Sequence, residues 1–238
     1  MDAIIQGTVQ GLTEFLPVSS SGHLELLSKL FGMRGDLPFV AFLHLGTFFA
    51  VFIFTFKHIL KVLRSFKLLS LLFVSTIPAV LVGVLFEDLI EKIFNPSVLP
   101  YSFTITAALL VIGSSQRGKK RMEEMDVWDA LLIGVAQAIA IIPGISRSGS
   151  TIAAALILGY SPEDSLYYSF LMSLPVTFGA GILKFQGAGA SALVGLTFSF
   201  LFGLLALFLI RFSIIKDKFH VFSYYLLSIA ALSFFTGG

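Results

Sequence analysis

Residues 10–23 read QGLTEFLPVSSSGH and residues 143–151 read PGISRSGST, and both stretches interrupt long apolar sequence. Pro ends helices, Gly permits unusual backbone conformations, and Ser caps the helix that follows. Each stretch therefore predicts a helix, a break and a second helix. A broken backbone at membrane depth is tolerated only where protein or a water-filled cavity surrounds it. We therefore predict re-entrant hairpins over residues 2–31 and 128–159, each returning to the side from which it enters.

The composition indicates that lipid is the solvent of this chain. Of its 238 residues, 56% are hydrophobic and 13% are charged, whereas a soluble domain carries about 25% charged residues. The net charge of +2 gives no support for binding nucleic acid. The absence of Cys excludes a cysteine nucleophile and a thiolate metal site.

Apolar segments and basic loops together predict the topology. A span needs roughly 20 mostly apolar residues, and we predict six, at residues 37–56, 69–86, 101–116, 164–184, 192–211 and 220–236. Basic loops stay on the cytoplasmic side, and three short segments are basic: 57–67, 117–126 and 211–218. The predicted fold is an all-α polytopic membrane protein with about six spanning helices and two re-entrant segments.

The two interrupted segments also resemble each other. Asp2 to Leu24 aligns without a gap on Asp129 to Thr151, and the identical pairs are Asp2/Asp129, Ala3/Ala130, Gly7/Gly134, Gln10/Gln137, Ser19/Ser146, Ser21/Ser148 and Gly22/Gly149. An odd number of spans between two copies inverts the second copy, an architecture known from membrane proteins. We predict a single membrane domain, 1–238, built from an inverted repeat of approximately 1–126 and 127–238.

Four polar residues of the first motif are candidates for chemistry. Gln10 and Glu14 are four residues apart and share a helix face. Ser20 and His23 lie in the first turn of the next helix, can project the same way, and begin a helix whose N-terminus suits a phosphate. An ionisable group in a membrane segment is functional by default. The structural alternatives are a buried hydrogen bond for Glu14 and a satisfied core imidazole for His23.

Arg147 is the central residue of the second motif. Its guanidinium offers a planar fork of donors that matches phosphate, although a structural ion pair with Glu14 is the alternative. The surrounding small polar residues of both motifs are expected to contact the substrate, or else to cap helices: Ser19, Ser21, Gly144, Ser146, Ser148 and Thr151. His44, inside a predicted span, is expected to have a packing role.

Taken together, QGLTEFLPVSSSGH and PGISRSGST resemble the two motifs of the bacterial undecaprenyl pyrophosphate phosphatase family, which is linked to bacitracin resistance. Their order and spacing agree over nearly the whole chain. The resemblance implies hydrolysis of undecaprenyl pyrophosphate to the monophosphate and inorganic phosphate, which recycles the lipid carrier of cell-wall polymers. It also implies a divalent cation, a homodimer, and a cytoplasmic (inner) membrane location with the site opening to the external face.

The resemblance carries over to individual residues. Glu14 matches the second acidic position of the family's first motif, and Gln10 occupies the first, which is often Glu. Glu14 and Gln10 are thus the expected ligands of Mg²⁺ or Ca²⁺, which favour oxygen. Ser20 is the candidate nucleophile, with direct attack by water as the rival mechanism. His23 is expected to act as general acid or base, and Arg147 to hold the pyrophosphate.

Two other functions remain open from the sequence. Ser21-Gly22-His23 and Ser146-Arg147 echo phosphatidic-acid-type phosphatases, but the chain has no Arg-Pro and no His between Arg147 and His220, both of which that pattern requires. A transporter or flippase for an anionic, phosphorylated lipid is favoured by the predicted architecture alone. Phosphate release in detergent, where transport has no meaning, separates the enzyme from the transporter.

Overall fold

The computed structural model describes residues 1–33, 37–85, 96–116, 118–183 and 190–236. Within these ranges the chain forms α-helices and two short 3₁₀ turns, and it forms no β-strand. The helices are α1 (Asp2–Phe15), α2 (Ser20–Phe31), α3 (Leu37–Leu63), α4 (Phe66–Leu85), α5 (Leu99–Ser114), α6 (Val127–Ile139), α7 (Arg147–Ile157), α8 (Pro162–Leu183), α9 (Ala190–Ile215) and α10 (Val221–Phe235).

Six of these helices, α3 to α5 and α8 to α10, occupy the predicted spans, and the all-α prediction is confirmed. Three segments are long and apolar enough by themselves to cross a bilayer: Phe39–Leu63, Phe66–Leu85 and Ser191–Ile215. Large apolar side chains also cover the outside of the molecule, with Phe66 87% exposed. So much exposed apolar surface requires lipid around it, and the chain is a multi-pass membrane protein.

Two helices extend beyond their predicted ends. α3 continues to Leu63 and α9 to Ile215, whereas the predicted spans end at residues 56 and 211. No Gly or Pro interrupts either extension. Long Lys and Arg side chains can reach water while the helix that carries them continues. Basic residues therefore do not mark the end of a helix.

The two interrupted segments form helix–break–helix hairpins, as predicted. α1 and α2 have 14 and 12 residues, and α6 and α7 have 13 and 11. At about 1.5 Å per residue, none of them reaches across a hydrocarbon core of about 30 Å. Such short helices suit hairpins that end inside the protein.

The basic segments converge at one end of the molecule, which we call the basic end. Lys61 forms an ion pair with Glu123, and Lys67 donates to the Glu123 carbonyl at 2.7 Å. The Lys61 hydrogen bond holds the pKa of the Glu123 carboxyl below its usual range. Arg211 reaches Glu163 at 3.2 Å, and the Met122 amide donates to the neighbouring Asp164 at 3.3 Å. These contacts place the segments 57–67, 118–126 and 211–218 on the same side.

The hairpins enter from opposite ends. α1 runs parallel to α9, because a Cβ at Gly7 would lie 2.3 Å from the Gly195 carbonyl oxygen and one at Gly11 would lie 2.5 Å from that of Ser199. α9 ends at the basic end, so α1 begins at the far end. α6 packs on α4, with Gly134 against the Ser75 carbonyl. Both of those helices begin at the basic end.

The paired contacts of α1 with α9 and of α6 with α4 are those that an inverted repeat requires. Gly7 and Gly134, which make the two close contacts, are also equivalent in the sequence alignment. The division into halves of approximately 1–126 and 127–238 stays a prediction.

Candidate functional site

A cavity of about 540 Å³ lies where the ends of the two hairpins meet. Seven helices, α1 to α4 and α6 to α8, and the two breaks contribute to its wall. The polar residues that line it are Thr13, Glu14, Ser19, Ser20, Ser21, His44, Thr76, Gln137, Ser146, Arg147 and Thr177. Most of the remaining wall is apolar, so the polar groups are concentrated in an otherwise hydrophobic interior.

Close backbone contacts hold the two breaks together. A Cβ at Gly22 would lie 3.1 Å from the Gly144 Cα, and one at Gly149 would lie 3.2 Å from the Pro17 Cβ. The Ser148 hydroxyl donates to the Leu16 carbonyl at 3.2 Å. Glycine at these two positions lets the hairpins approach this closely, because an added Cβ would be tighter than an ordinary contact.

Glu14 is the centre of the polar network. One carboxylate oxygen pairs with Arg147 Nη2, which belongs to the opposite hairpin. The other oxygen accepts from the Ser20 hydroxyl at 2.6 Å and from Gln10 Nε2 at 3.0 Å. A buried carboxylate is tolerated only when paired and hydrogen-bonded, and Glu14 meets both conditions while only 8% exposed.

The first break places Ser20 at the start of α2. Leu16, which precedes Pro17, is extended, with ψ of 144°, as a residue before Pro prefers. Ser19 caps α2 by accepting from the Gly22 amide at 3.4 Å. Its φ of 71° is unusual for a residue with a side chain. Backbone strain of this kind clusters at functional sites.

The second break places Arg147 at the start of α7. Ser146 accepts from the Gly149 amide at 3.1 Å, and its own amide donates to the Thr106 hydroxyl of α5 at 3.1 Å. Gly144 has a φ of 85° and packs against Ser102. The break is thus anchored to α5, and Arg147 projects from it into the cavity.

This geometry agrees with the similarity of the chain to known proteins. Residues 3–232 match the family described as bacitracin resistance protein BacA. The chain belongs to this family. Several curated relatives also match this chain over their full length. These matches and the family match confirm the resemblance predicted from the two motifs.

Three relatives of this BacA-family chain illustrate the similarity. It is 48% identical to the undecaprenyl-diphosphatase of Thermotoga sp. (strain RQ2), over the whole of both chains. It is 45% identical to the undecaprenyl-diphosphatase of Methanococcus maripaludis (strain C7 / ATCC BAA-1331), and the alignment covers 94% of this chain and 95% of the relative. It is 42% identical to the undecaprenyl-diphosphatase of Thermosipho africanus (strain TCF52B), again over both full lengths.

The structure brings about half of the predicted site residues of this BacA-family chain to the cavity. The predicted residues that line it are Glu14, Ser19, Ser20, Ser21, Ser146 and Arg147. Gln10 lies behind Glu14 and is fully buried. The Ser148 hydroxyl contacts Leu16, and the Thr151 hydroxyl contacts Ser169 at 2.6 Å. Ser148, Thr151 and Gly144 thus hold helices together and do not line the cavity, and the expectation that they contact the substrate stays a prediction.

His23 also departs from its predicted placement. Its ring contacts the Ser19 carbonyl at 2.8 Å through Nδ1 and the Tyr225 hydroxyl at 2.7 Å through Nε2, and it stacks on the Tyr225 ring. The Ser20 hydroxyl, in contrast, donates a hydrogen bond to Glu14. His23 and Ser20 thus face different neighbours, and His23 is absent from the cavity wall. Their spacing of one helical turn predicted that Ser20 and His23 project the same way. The local sequence gave no sign of Tyr225, the aromatic partner of His23 on α10.

His44 is a site residue for which the sequence predicted only a packing role. Its Nδ1 lies 3.1 Å from Gln10 Nε2 and 3.9 Å from a Glu14 carboxylate oxygen, and its ring lines the cavity. The available signal was its position inside an apolar span, where an ionisable side chain is functional by default.

Gln137 also lines the cavity and was not among the predicted site residues. Its alignment with Gln10 was the signal that could have identified it.

The donor set around Glu14 fits a cation that is shared with a ligand. The described residues contain no group of three or more His, Cys, Asp or Glu that could hold a metal by themselves. Among the described residues, Gln10 Oε1 is buried without a hydrogen-bond partner, and the amide that carries it donates to the Glu14 carboxylate through Nε2. Mg²⁺ is commonly bound by one or two protein oxygens together with phosphate and water. Glu14 lines the cavity and would supply one such oxygen, and Gln10, behind it, would supply the second by turning its amide.

Proposed function

We propose that this chain hydrolyses undecaprenyl pyrophosphate to undecaprenyl phosphate and inorganic phosphate, which recycles the lipid carrier for cell-wall polymer synthesis. The observation that carries this proposal is the Arg147–Glu14 pair, with the Ser20 hydroxyl on the same carboxylate, in a cavity enclosed by apolar helices. The names of the three relatives support the same reaction. An arginine, a carboxylate and a hydroxyl are what phosphoryl transfer from a lipid would need.

Arg147 is proposed to bind the pyrophosphate. Its Nη2 contacts Glu14, while its Nη1 is buried without a hydrogen-bond partner in the part of the chain that the structure describes. Phosphoryl transfer depends mainly on positioning and on stabilising the charge of the equatorial oxygens. A guanidinium fixed by one carboxylate and free on its other nitrogen can do both without reorganising.

Ser20 is proposed to attack the terminal phosphorus. Its Oγ forms the new P–O bond, its proton passes to Glu14, and the bond to the lipid monophosphate breaks. Water then cleaves the phosphoserine and releases phosphate. In the rival mechanism water attacks directly, Glu14 takes the proton of the water, and Ser20 only binds phosphate. His23, which was predicted to be a general acid or base, contacts the Ser19 carbonyl and does not line the cavity, so we propose that it positions the first break in both mechanisms.

A divalent cation, Mg²⁺ or Ca²⁺, is proposed to be held by Glu14 and Gln10 together with the substrate. Such a cation would neutralise charge on the phosphate oxygens. The support is the Gln10 oxygen, which has no hydrogen-bond partner among the described residues and belongs to the amide that donates to the Glu14 carboxylate. Removing divalent cations with a chelator should therefore reduce turnover, and adding Mg²⁺ or Ca²⁺ back should restore it.

An apolar groove supports a lipid substrate. A second cavity, of about 270 Å³, shares Thr76 and Pro175 with the polar cavity. Its other lining residues are all hydrophobic: Ile59, Val62, Leu63, Leu69, Leu72, Phe73, Leu171, Met172 and Leu174. The groove runs between α3, α4 and α8 towards the basic end. A polyprenyl chain attached to a pyrophosphate in the polar cavity has a continuous apolar path there.

The chain is proposed to lie in the cytoplasmic (inner) membrane with its site open to the external face. α4 and α8 both begin at the basic end and contribute to the cavity from later turns, at residues 76–80 and 175–180. If the basic end is cytoplasmic, the cavity lies towards the external face. A homodimer is proposed on the family resemblance alone.

Phosphate release by the purified protein in detergent tests this function. With a polyprenyl pyrophosphate as substrate, the wild-type chain should release one phosphate for each lipid monophosphate formed. A transporter has nothing to transport across a micelle and would release none. A folded protein that binds the lipid without releasing phosphate would overturn the proposal.

A further inference from the structure

Gln137 is a buried polar residue that the reaction outlined above does not use. It lies on α6, is only 2% exposed, and lines the polar cavity. Neither its Nε2 nor its Oε1 has a hydrogen-bond partner among the described residues. A buried amide without partners costs stability, and such a group in a cavity points to a ligand that completes it.

Gln10 provides an internal comparison. The two glutamines are equivalent in the alignment of the two hairpins, and both are buried. Gln10 Nε2 is satisfied by Glu14 and His44. The opposite hairpin contributes no carboxylate near Gln137 to the cavity wall, where Glu14 is the only acidic residue described. Gln137 thus keeps both its donor and its acceptor for a ligand.

Among the described residues of the cavity wall, Arg147 Nη1 is the other buried donor without a hydrogen-bond partner. Two buried nitrogens that both lack an acceptor favour a ligand rich in oxygen, and a phosphate group is such a ligand. The lipid chain is excluded as the partner of Gln137, because burying an unpaired amide against hydrocarbon would add to the cost.

The position of Gln137 favours one of the two phosphates. Gly134, one turn earlier on α6, packs on Ser75 of α4, so Gln137 lies beside the part of α4 that contains Thr76. Thr76 is also where the apolar groove leaves the cavity. Ser20 and Glu14 stand on the other hairpin. We propose that Gln137 Nε2 donates a hydrogen bond to the phosphate that stays on the lipid, and thereby selects lipid pyrophosphates.

This inference rests on the proposed function, and substitutions of Gln137 test it separately. Gln137→Met is close in size and removes the amide. We expect KM for a polyprenyl pyrophosphate to rise about tenfold or more, the size of a lost hydrogen bond to a charged ligand. The thermal midpoint should stay or rise, because an unpartnered buried amide is removed. Gln137→Glu should weaken binding further, because its carboxylate repels phosphate.

Product inhibition identifies the phosphate that Gln137 contacts. In Gln137→Met, inhibition by a polyprenyl monophosphate should weaken by the same factor as KM rises, while inhibition by inorganic phosphate should not change. A matched control is Ser165→Ala, since the Ser165 hydroxyl is also buried and unpartnered among the described residues but does not line the cavity. It should leave all three constants unchanged.

The outcomes are distinct. If wild type hydrolyses the lipid and Gln137→Met behaves like wild type, Gln137 does not bind the substrate and the inference fails. If Gln137→Glu binds as well as wild type, the amide nitrogen is not the contact. If only inhibition by inorganic phosphate weakens, the terminal phosphate is the partner and the assignment is wrong. If wild type releases no phosphate, the proposed function itself has failed.

Discussion

Glu14 is the residue on which the site depends, and its neighbours explain why. A lone carboxylate in the membrane interior would be protonated or would destabilise the fold. Arg147 supplies the opposite charge, while Ser20 and Gln10 donate hydrogen bonds to it. The sequence offered an ion pair with Glu14 as the structural alternative to phosphate binding by Arg147. The structure has the pair, and the unpartnered Nη1 leaves room for both roles.

Ser20 gives the sharpest kinetic prediction at the residue scale. Ser20→Ala should reduce kcat by at least about a hundredfold if its oxygen is the nucleophile, a loss in the range of other groups that act directly on the reacting atoms. Rapid quenching of wild type should trap a phosphoserine. Ser150→Ala is a control, because Ser150 is buried but does not line the cavity. Normal turnover by Ser20→Ala would establish direct attack by water.

Some of the site residues could be placed from the local sequence, whereas the two histidines could not. The types and spacing of Glu14, Ser20 and Arg147 were enough to predict that they lie at one site. The placements of His23 and His44 were not predictable in this way, because they depend on Tyr225 and Gln10, which are distant in sequence from their partners. Contacts between helices determine which face of a short helix lines the cavity.

At the scale of elements, glycine contacts hold the hairpins against the spanning helices. Gly134→Ala should destabilise the protein by about 1–3 kcal/mol, because its new Cβ would lie 2.4 Å from the Ser75 carbonyl oxygen. Gly83→Ala on α4 meets nothing within 4 Å. It should stabilise by up to about 1 kcal/mol, the helix preference of Ala over Gly. Thermal unfolding in detergent measures both, and equal effects would contradict the packing described.

The groove between α3, α4 and α8 makes a prediction about chain length. Leu72→Trp fills the groove and should raise KM for a long polyprenyl pyrophosphate, while KM for a short prenyl pyrophosphate should stay the same. Ile77→Trp is the matched control on α4, because Ile77 is 50% exposed and lines neither cavity. An equal change for both substrates in Leu72→Trp would show that the lipid chain lies elsewhere.

Helices were the most predictable elements, since long apolar runs specify spans and the Pro, Gly and Ser residues specify the breaks. The ends of α3 and α9 were less predictable. Lys57 was taken to lie outside α3 and Arg211 to end α9, yet both helices continue beyond these residues. A hydropathy pattern shows where a chain leaves lipid, whereas the helix ends only where backbone or capping residues stop it.

At the scale of the whole molecule, the two hairpins meet because they enter from opposite ends. An alignment of seven identical positions was enough to predict this arrangement. The sequence could not supply the distances, because a shift of one turn in either hairpin would separate Glu14 from Arg147. Contacts at Gly7, Gly11 and Gly134 fix these positions.

The orientation can be tested in this chain because it contains no Cys. Ser21→Cys lies in the cavity wall, and Ser65→Cys lies at the basic end between α3 and α4. In intact cells, a membrane-impermeant thiol reagent should label Ser21→Cys, and should label Ser65→Cys only after permeabilisation. The opposite pattern would place the basic end outside and reverse the proposed side of access.

The most direct test of the two-hairpin site is phosphate release by Arg147→Lys. Lysine keeps a positive charge beside Glu14, so folding should be preserved, but it lacks the planar fork. We predict that release from a polyprenyl pyrophosphate falls by about a hundredfold or more, with an unchanged thermal midpoint. Arg211→Lys, at the basic end, should retain wild-type activity. Full activity of a folded Arg147→Lys would contradict the role assigned to the second hairpin.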